Sequence, residues 1–263
     1  MRVSFVDTHT HYAHKRFDSG RDEIVNSLVD VDVLAVIEAA IDFESNLKMK
    51  FICEKYSHVY MAVGCHPNCV GEMDDYKYQK IVELMGYSKV IAIGETGLDY
   101  AKNKSEQHIQ IQKKWFERFV LLAINTNKPL IIHARESYDE LIKILQGYEL
   151  SECPGVIHCF SGNEKQAIEL IEMGFYIGVN GMFTNMDMDS DVCQALKIIP
   201  LERVLLETDS PYLLPKGAKG KRNTSANLKF IVDKLAELRG ESSENISRVV
   251  LENTKRVFTK IGL

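Results

Sequence analysis

The sequence predicts a single (β/α)8 barrel, a TIM barrel, with residues 1–263 forming one domain. Three observations predict it. Eight short runs of β-branched and aliphatic residues recur along the chain, and the stretches between them read as amphipathic helices. The runs are almost wholly apolar rather than alternating, as in parallel strands covered on both faces. Eight strand–helix units in 263 residues suit one barrel. A doubly wound open sheet is the alternative arrangement of the same units. No linker, low-complexity stretch or short repeat divides the chain.

The runs are VSFVD (3–7), VLAVIEA (33–39), VYMAVG (59–64), VIAIGE (90–95), PLIIHA (129–134), GVIHCF (155–160), FYIGVN (175–180) and RVLLETD (203–209). Between 105 and 126, Ile111, Trp115, Phe119 and Leu122 fall three or four apart and form one helical stripe. Ser137 with Glu140, and Ser161 with Glu164, have the spacing of capping boxes opening the next two helices. Gly174 follows AIELIEM at a helix end, where a left-handed residue is needed before the seventh run. Two further helices are predicted at about 225–239 and 243–260.

Composition narrows the function. An apolar fraction of 45% supports a large core, and a net charge of −5 argues against a surface coated with cations for non-specific nucleic-acid binding. A local basic patch remains compatible with that balance. The six cysteines, Cys53, Cys65, Cys69, Cys153, Cys159 and Cys193, form no disulfide framework. Cys65 and Cys69 lack the second pair of a zinc ribbon. The N-terminus lacks the basic-then-apolar order of a signal peptide, and no run approaches the ~20 apolar residues of a membrane span. The expectation is a cytoplasmic, soluble protein with no membrane and no obligatory protein partner.

The reactive residues sit where the runs end. His9 and His11 follow the first, His66 the third; Glu95 closes the fourth, His133 the fifth, His158 the sixth and Asp209 the eighth. In a barrel this is the C-terminal rim, where active sites are built. One histidine at a strand end is more often structural than a ligand. Glu95 alone reads equally as a turn cap, and Asp209, before Ser210-Pro211, as the start of a turn. Five of eight histidines at strand ends carry more weight; His14, His58 and His108 fall elsewhere and read as surface or structural residues. Four imidazoles and two carboxylates suit two divalent cations better than one, with Glu95 bridging. The ligand types point to Zn, Mn, Fe or Ni over Mg.

Six ordered motifs, DTHTH (7–11), GCHP (64–67), GETGLDY (94–100), IIHAR (131–135), HCFSG (158–162) and ETDSPYL (207–213), together resemble the TatD family of metal-dependent deoxyribonucleases. The likeness extends from residue 3 through ENTKRVF (252–258). It implies a TIM barrel, two divalent cations (Mg, Mn or Zn) and hydrolysis of DNA phosphodiester bonds from the 3′ end, with single-stranded DNA as the substrate. Carried over, His9, His11 and Asp209 hold one metal, His133 and His158 the second, and Glu95 bridges. His66 contacts the scissile phosphate. The chain departs from the family pattern at Ser225, near a position where the family has proline, and at Thr96, where an aliphatic residue is common.

The expected chemistry is attack by a metal-activated water, with Asp209 as ligand and general base. His66 either binds a non-bridging oxygen or protonates the leaving oxygen. Glu207, two before Asp209, shares its face of an extended segment, and reads either as orienting a ligand or as a buried ion pair with Lys or Arg. Asp7 and Asp99 are similar, weaker candidates. The loop PKGAKGKRN (215–223) places Lys216, Lys219, Lys221 and Arg222 beside Asp209, and Arg135 follows His133 by two. These cations are candidate phosphate contacts, and Tyr212 a surface on which a base stacks. The competing readings are a binuclear amidohydrolase or esterase on a small molecule or aminoacyl-tRNA, and a non-catalytic metal-binding barrel. Many amidohydrolases bridge their metals with a modified lysine near the end of the fourth strand; this chain has Glu95 there.

Overall fold

The computed structural model describes residues 4–151 and 154–263. Val3 of the first run and Cys153 lie outside the described residues. Eight parallel strands follow one another around a single sheet in chain order. They are β1 (Phe5–Thr10), β2 (Val33–Ala39), β3 (Val59–Val63), β4 (Val90–Asp99), β5 (Leu130–Arg135), β6 (Gly155–His158), β7 (Tyr176–Val179) and β8 (Val204–Leu206). The helices are α1 (Arg21–Ser27), α2 (Phe43–Lys55), α3 (Asp75–Glu83), α4 (Glu106–Thr126), α5 (Tyr138–Leu145), α6 (Glu164–Glu172), α7 (Asp191–Ile198), α8 (Leu228–Arg239) and α9 (Ser243–Val257). This order is that of a TIM barrel, not of an open doubly wound sheet.

The seam between β1 and β8 closes just past the end of β8. The His11 amide donates to the Ser210 carbonyl at 2.8 Å, and the Asp209 amide donates to the His9 carbonyl at 2.9 Å. Asp7 fastens the same seam by accepting from the Thr208 amide at 2.8 Å and from its hydroxyl. Burial pushes the Asp7 carboxyl up to about 7 despite the hydrogen bonds it accepts from Ser225 and Thr208. Two apolar clusters hold the fold. The larger lies between strands and helices and includes the α4 stripe, with Trp115, Phe119 and Leu122 buried. The smaller takes Val6, Ala35, Tyr60, Ile91, Ile131, Val156, Tyr176 and Leu205 from the eight strands, with Val257, Phe258 and Ile261 after them. That is a filled barrel interior, closed at one end by the end of α9.

Several boundaries differ from the sequence reading: β1 runs on to Thr10, β6 stops at His158, and β8 stops at Leu206, short of Asp209. Strand β4 continues past Glu95 to Asp99, because its neighbour β5 offers partners as far as the pair Asp99–Arg135. Ser137 does not cap α5: its hydroxyl donates to the Leu98 carbonyl at 2.9 Å and so ties the end of β4 to the turn after β5. Nor does Ser161 cap α6. Asn163 does, in a reciprocal box with Gln166, the same chemistry two residues later. Gly174 adopts φ +93° after α6, as expected. Among the described residues no helix is long and apolar enough to cross a membrane.

Candidate metal centre

Strand register assembles the centre. His133 and His158 are direct neighbours across β5 and β6, and Gly97 of β4 lies beside His133. Gly97 has φ +145°, and a Cβ there would fall 2.0 Å from the His133 carbonyl oxygen, so only glycine lets the strands approach this closely. His9 lies inside β1 and His11 one residue past its end. Asp209 has φ +57°, a left-handed conformation that Asp tolerates better than most residues.

Glu95 is the hub. Its Oε2 lies 3.3 Å from His9 Nε2 and 3.9 Å from His11 Nε2. Its Oε1 lies 2.8 Å from His133 Nδ1, 3.7 Å from His66 Nε2 and 3.9 Å from His158 Nε2. The two oxygens of one carboxylate thus face two different groups of imidazoles. Asp209 completes the first group, with Oδ1 3.1 Å from His11 Nε2 and 3.9 Å from His9 Nε2. Ligand atoms of His9, His11 and Asp209 fall within 4.8 Å of one another, as do those of Glu95, His133 and His158. Burial alone would raise the Glu95 pKa, but His66, His9 and His133 together hold its carboxyl well below the usual range.

The imidazoles are not interchangeable. His11 Nδ1 donates to the Ala39 carbonyl at 2.9 Å, so the nitrogen turned to Asp209 and Glu95, and available to a cation once it gives up its proton, is Nε2. His158 Nδ1 lies 2.8 Å from Glu207 Oε1, off the line of a good hydrogen bond, and its Nε2 faces Glu95. Such outer partners set which nitrogen of a ligating histidine is free. His66 is turned the other way. Its Nδ1 accepts from the Asn68 amide at 3.1 Å, so the proton sits on Nε2, which points toward Glu95. Burial lowers its pKa to about 4, so it is a neutral N–H donor. His9 Nε2 and His11 Nε2 stand only 3.1 Å apart, and buried His9 Nδ1 has no hydrogen-bond partner among the described residues. Nitrogen lone pairs crowded this closely between carboxylates fit cations better than they fit one another.

Glu207 settles the choice left open above. Among the described residues no Lys or Arg pairs with it; it contacts His158 and accepts from the Cys159 amide at 2.7 Å and from Asn180 at 3.2 Å. Asp99 reaches the centre as well, 3.2 Å from His133 Nε2, and is held by Asn68 at 2.9 Å. Asp7 touches no ligand side chain; it holds the seam. Sequence reasoning missed Asn68, which orients both His66 and Asp99. It also missed Glu38, buried, which accepts from the Tyr12 and Ala13 amides at 2.7 and 2.8 Å and fixes the turn after His11. Ser225 pairs with buried Tyr12, hydroxyl to hydroxyl at 2.8 Å.

The centre opens into a cavity of about 580 Å³, lined by His11, His66, Glu95, His133, His158 and Asp209, and also by Asn68, Lys102, Arg135 and Tyr212. A hollow of about 620 Å³ beside it shares Arg135 but holds none of the imidazoles. Lys216, Lys219, Lys221 and Arg222 do not line the cavity. Arg222 is engaged elsewhere: its guanidinium donates to the Arg16 and Ser19 carbonyls and lies 4.8 Å from the centre of the Phe17 ring.

Comparison with known proteins agrees with this geometry. The family model for TatD related DNase matches residues 6–259. An uncharacterized metal-dependent hydrolase of Bacillus subtilis, YabD, is 34% identical over 254 residues, covering 96% of this chain and 98% of that protein. The 3′–5′ ssDNA/RNA exonuclease TatD of Escherichia coli K12 is 29% identical, covering 92% of this chain and 94% of that one. Among solved structures, the TatD homolog YJJV of Escherichia coli K12 superposes with a TM-score of 0.91 at 28% identity, covering 98% of this chain and 99% of that one. A match over nearly the whole barrel, reached independently by motif order and by fold, places this chain in the TatD-related DNase family of metal-dependent hydrolases, enzymes that act on ester bonds.

Proposed function

We propose that the protein is a deoxyribonuclease that shortens single-stranded DNA from the 3′ end, using a centre of two divalent cations. The observation that carries this reading is the division of Glu95 between two imidazole groups, one oxygen to each. His9, His11 and Asp209 would hold one cation and His133 and His158 the other, with Glu95 between them. Bound Mg, Mn or Zn would supply a nucleophilic water at neutral pH and neutralise charge on the phosphoryl oxygens.

The chain's own residues do the rest. Asp209 has a side chain 15% exposed against 3% for Glu95, so it is the ligand carboxylate that meets solvent and accepts the proton of the attacking water. His66 donates its Nε2–H to a non-bridging oxygen of the scissile phosphate. Its neutral state suits a hydrogen bond better than delivery of a proton. Glu207 keeps His158 turned to its ligand face. Arg135, on the cavity wall, contacts the adjoining phosphate, with Lys219 and Lys221 reached farther out; Tyr212 stacks on a base. Arg222 acts through the loop that it anchors.

The test is hydrolysis of labelled single-stranded DNA by metal-stripped protein refilled with Mg, Mn or Zn, beside Asp209→Asn. Stepwise loss from the 3′ end that requires both metal and Asp209 is the expected result. No cleavage with any ion would move the substrate to a small ester or amide.

A further inference from the structure

The loop after β1 carries His14, Lys15 and Arg16, none of which the catalytic scheme uses. Arg16 donates to the Lys221 carbonyl at 2.9 Å, and Arg222 donates back to the Arg16 carbonyl. These reciprocal bonds strap the loop after β1 to the basic loop after β8. They gather His14, Lys15 and Arg16 with Lys221 and Arg222 on one flank of the cavity. A row of rings leads there from the centre. Tyr212 lies 6.3 Å from His11 by ring centroids and 5.6 Å from His14, and its hydroxyl is 3.2 Å from His14 Nε2. Arg16 stands 5.7 Å from the centre of the same tyrosine ring.

Beside His11, on this flank, is a hollow of about 240 Å³ lined by His14, Lys15 and Lys48 together with Asp42 and Glu44. Asp42 caps α2, accepting from the Ser45 amide at 2.8 Å, and with Glu44 it offsets Lys15 and Lys48 inside the hollow; the surplus of cations on this flank lies on the strap, at Arg16, Lys221 and Arg222. Lys48 meets Asp18 at 3.1 Å, but Asp18 is 57% exposed and shared with Arg21, so the pair is weak and yields readily. On a chain of net charge −5, this concentration of cations beside the centre is local.

We propose that His14, Lys15, Arg16 and Lys48 form a phosphate track along which single-stranded nucleic acid leaves the metal centre, with Tyr212 as the stacking step at its inner end. The proposal rests on the nuclease reading above and adds a site for nucleotides beyond the scissile bond. A strand there gains affinity from phosphates alone, without reading sequence.

The test uses metal-loaded Lys15→Glu/Lys48→Glu protein, with Lys15→Gln/Lys48→Gln as a milder pair. Lys165→Glu/Lys197→Glu, on exposed positions of α6 and α7, is the charge-matched control. Binding of a nuclease-resistant phosphorothioate twelve-mer is measured against salt, and hydrolysis of bis(p-nitrophenyl) phosphate in parallel. Each phosphate contact on a single strand contributes about 0.7 to the log–log salt slope, so the double reversal should flatten the slope by about 1.4 relative to the control. Slopes equal to the control would overturn the track while small-diester turnover left the nuclease reading intact. Wild-type protein that neither cleaves the small diester nor binds the twelve-mer would overturn both.

Discussion

Glu207→Gln isolates the outer support of the centre. The substitution keeps the volume and the carbonyl oxygen that accepts from the Cys159 amide at 2.7 Å, and it removes the charge beside His158 Nδ1 at 2.8 Å. The amide nitrogen would replace Oε2, which has no hydrogen-bond partner among the described residues and lies where a Cβ on Gly178 would come within 2.6 Å. The amide therefore finds no acceptor there, and the fold loses about 1–3 kcal/mol for the unpaired donor. The larger effect falls on His158. Without the carboxylate its Nδ1–H is less polarised and its ligand nitrogen less basic. Outer partners of ligating histidines typically contribute 10–100-fold in metal affinity, about 1.4–2.7 kcal/mol. The assay is competition for metal with a chromophoric chelator, run with a thermal melt of the stripped protein. One cation should weaken by that factor while the site of His9, His11 and Asp209 holds. Unchanged affinity at both sites, in a folded variant, would show that Glu207 only satisfies the Cys159 amide, and the carboxylate–histidine argument would fail.

The metal-stripped protein should lose stability as pH rises from 6 to 9. Burial opposes charging His11 and His133, but Asp209 beside the first and Asp99 and Glu95 beside the second raise each to about 9. Their contribution is complete below the unfolded value of 6.5 and is lost as pH climbs through 9. Asp7, raised by burial to about 7, acts in the same direction over a lower window. Added Zn or Mn should reverse the trend, because neutral imidazoles bind metal; melting curves with and without metal check it, and parallel curves would refute it. His66→Ala should lower kcat about 10²–10³-fold with metal content unchanged, as expected for loss of one donor to a charged oxygen. Loss of a metal instead, read by elemental analysis, would make His66 a ligand.

The sequence by itself determined the fold, and it named His9, His11, Glu95, His133, His158 and Asp209 as residues that would gather on one rim. Eight apolar runs became eight strands because a strand covered on both faces has to be apolar along its whole length, whatever the helices around it. The histidines and acids that interrupt or follow those runs cluster for the same reason: parallel strands end on one rim. Helix starts were less legible. The hydroxyls at 137 and 161 have capping spacing, yet each meets a tertiary partner first, the Leu98 carbonyl for Ser137 and Tyr138 for Ser161. The division of labour within the centre was decided only by tertiary structure. Cross-strand register brings His133 beside His158 and carries Asp99 to the centre through an extension of β4. The Asn68 amide holds the proton of His66 on Nε2, whereas the Ala39 carbonyl holds one on Nδ1 of His11, so His66 presents a proton to the centre and His11 presents the nitrogen that can ligate once it is neutral. Both are histidines near a strand end in the sequence. The difference is made by backbone groups reached only when the chain has closed on itself.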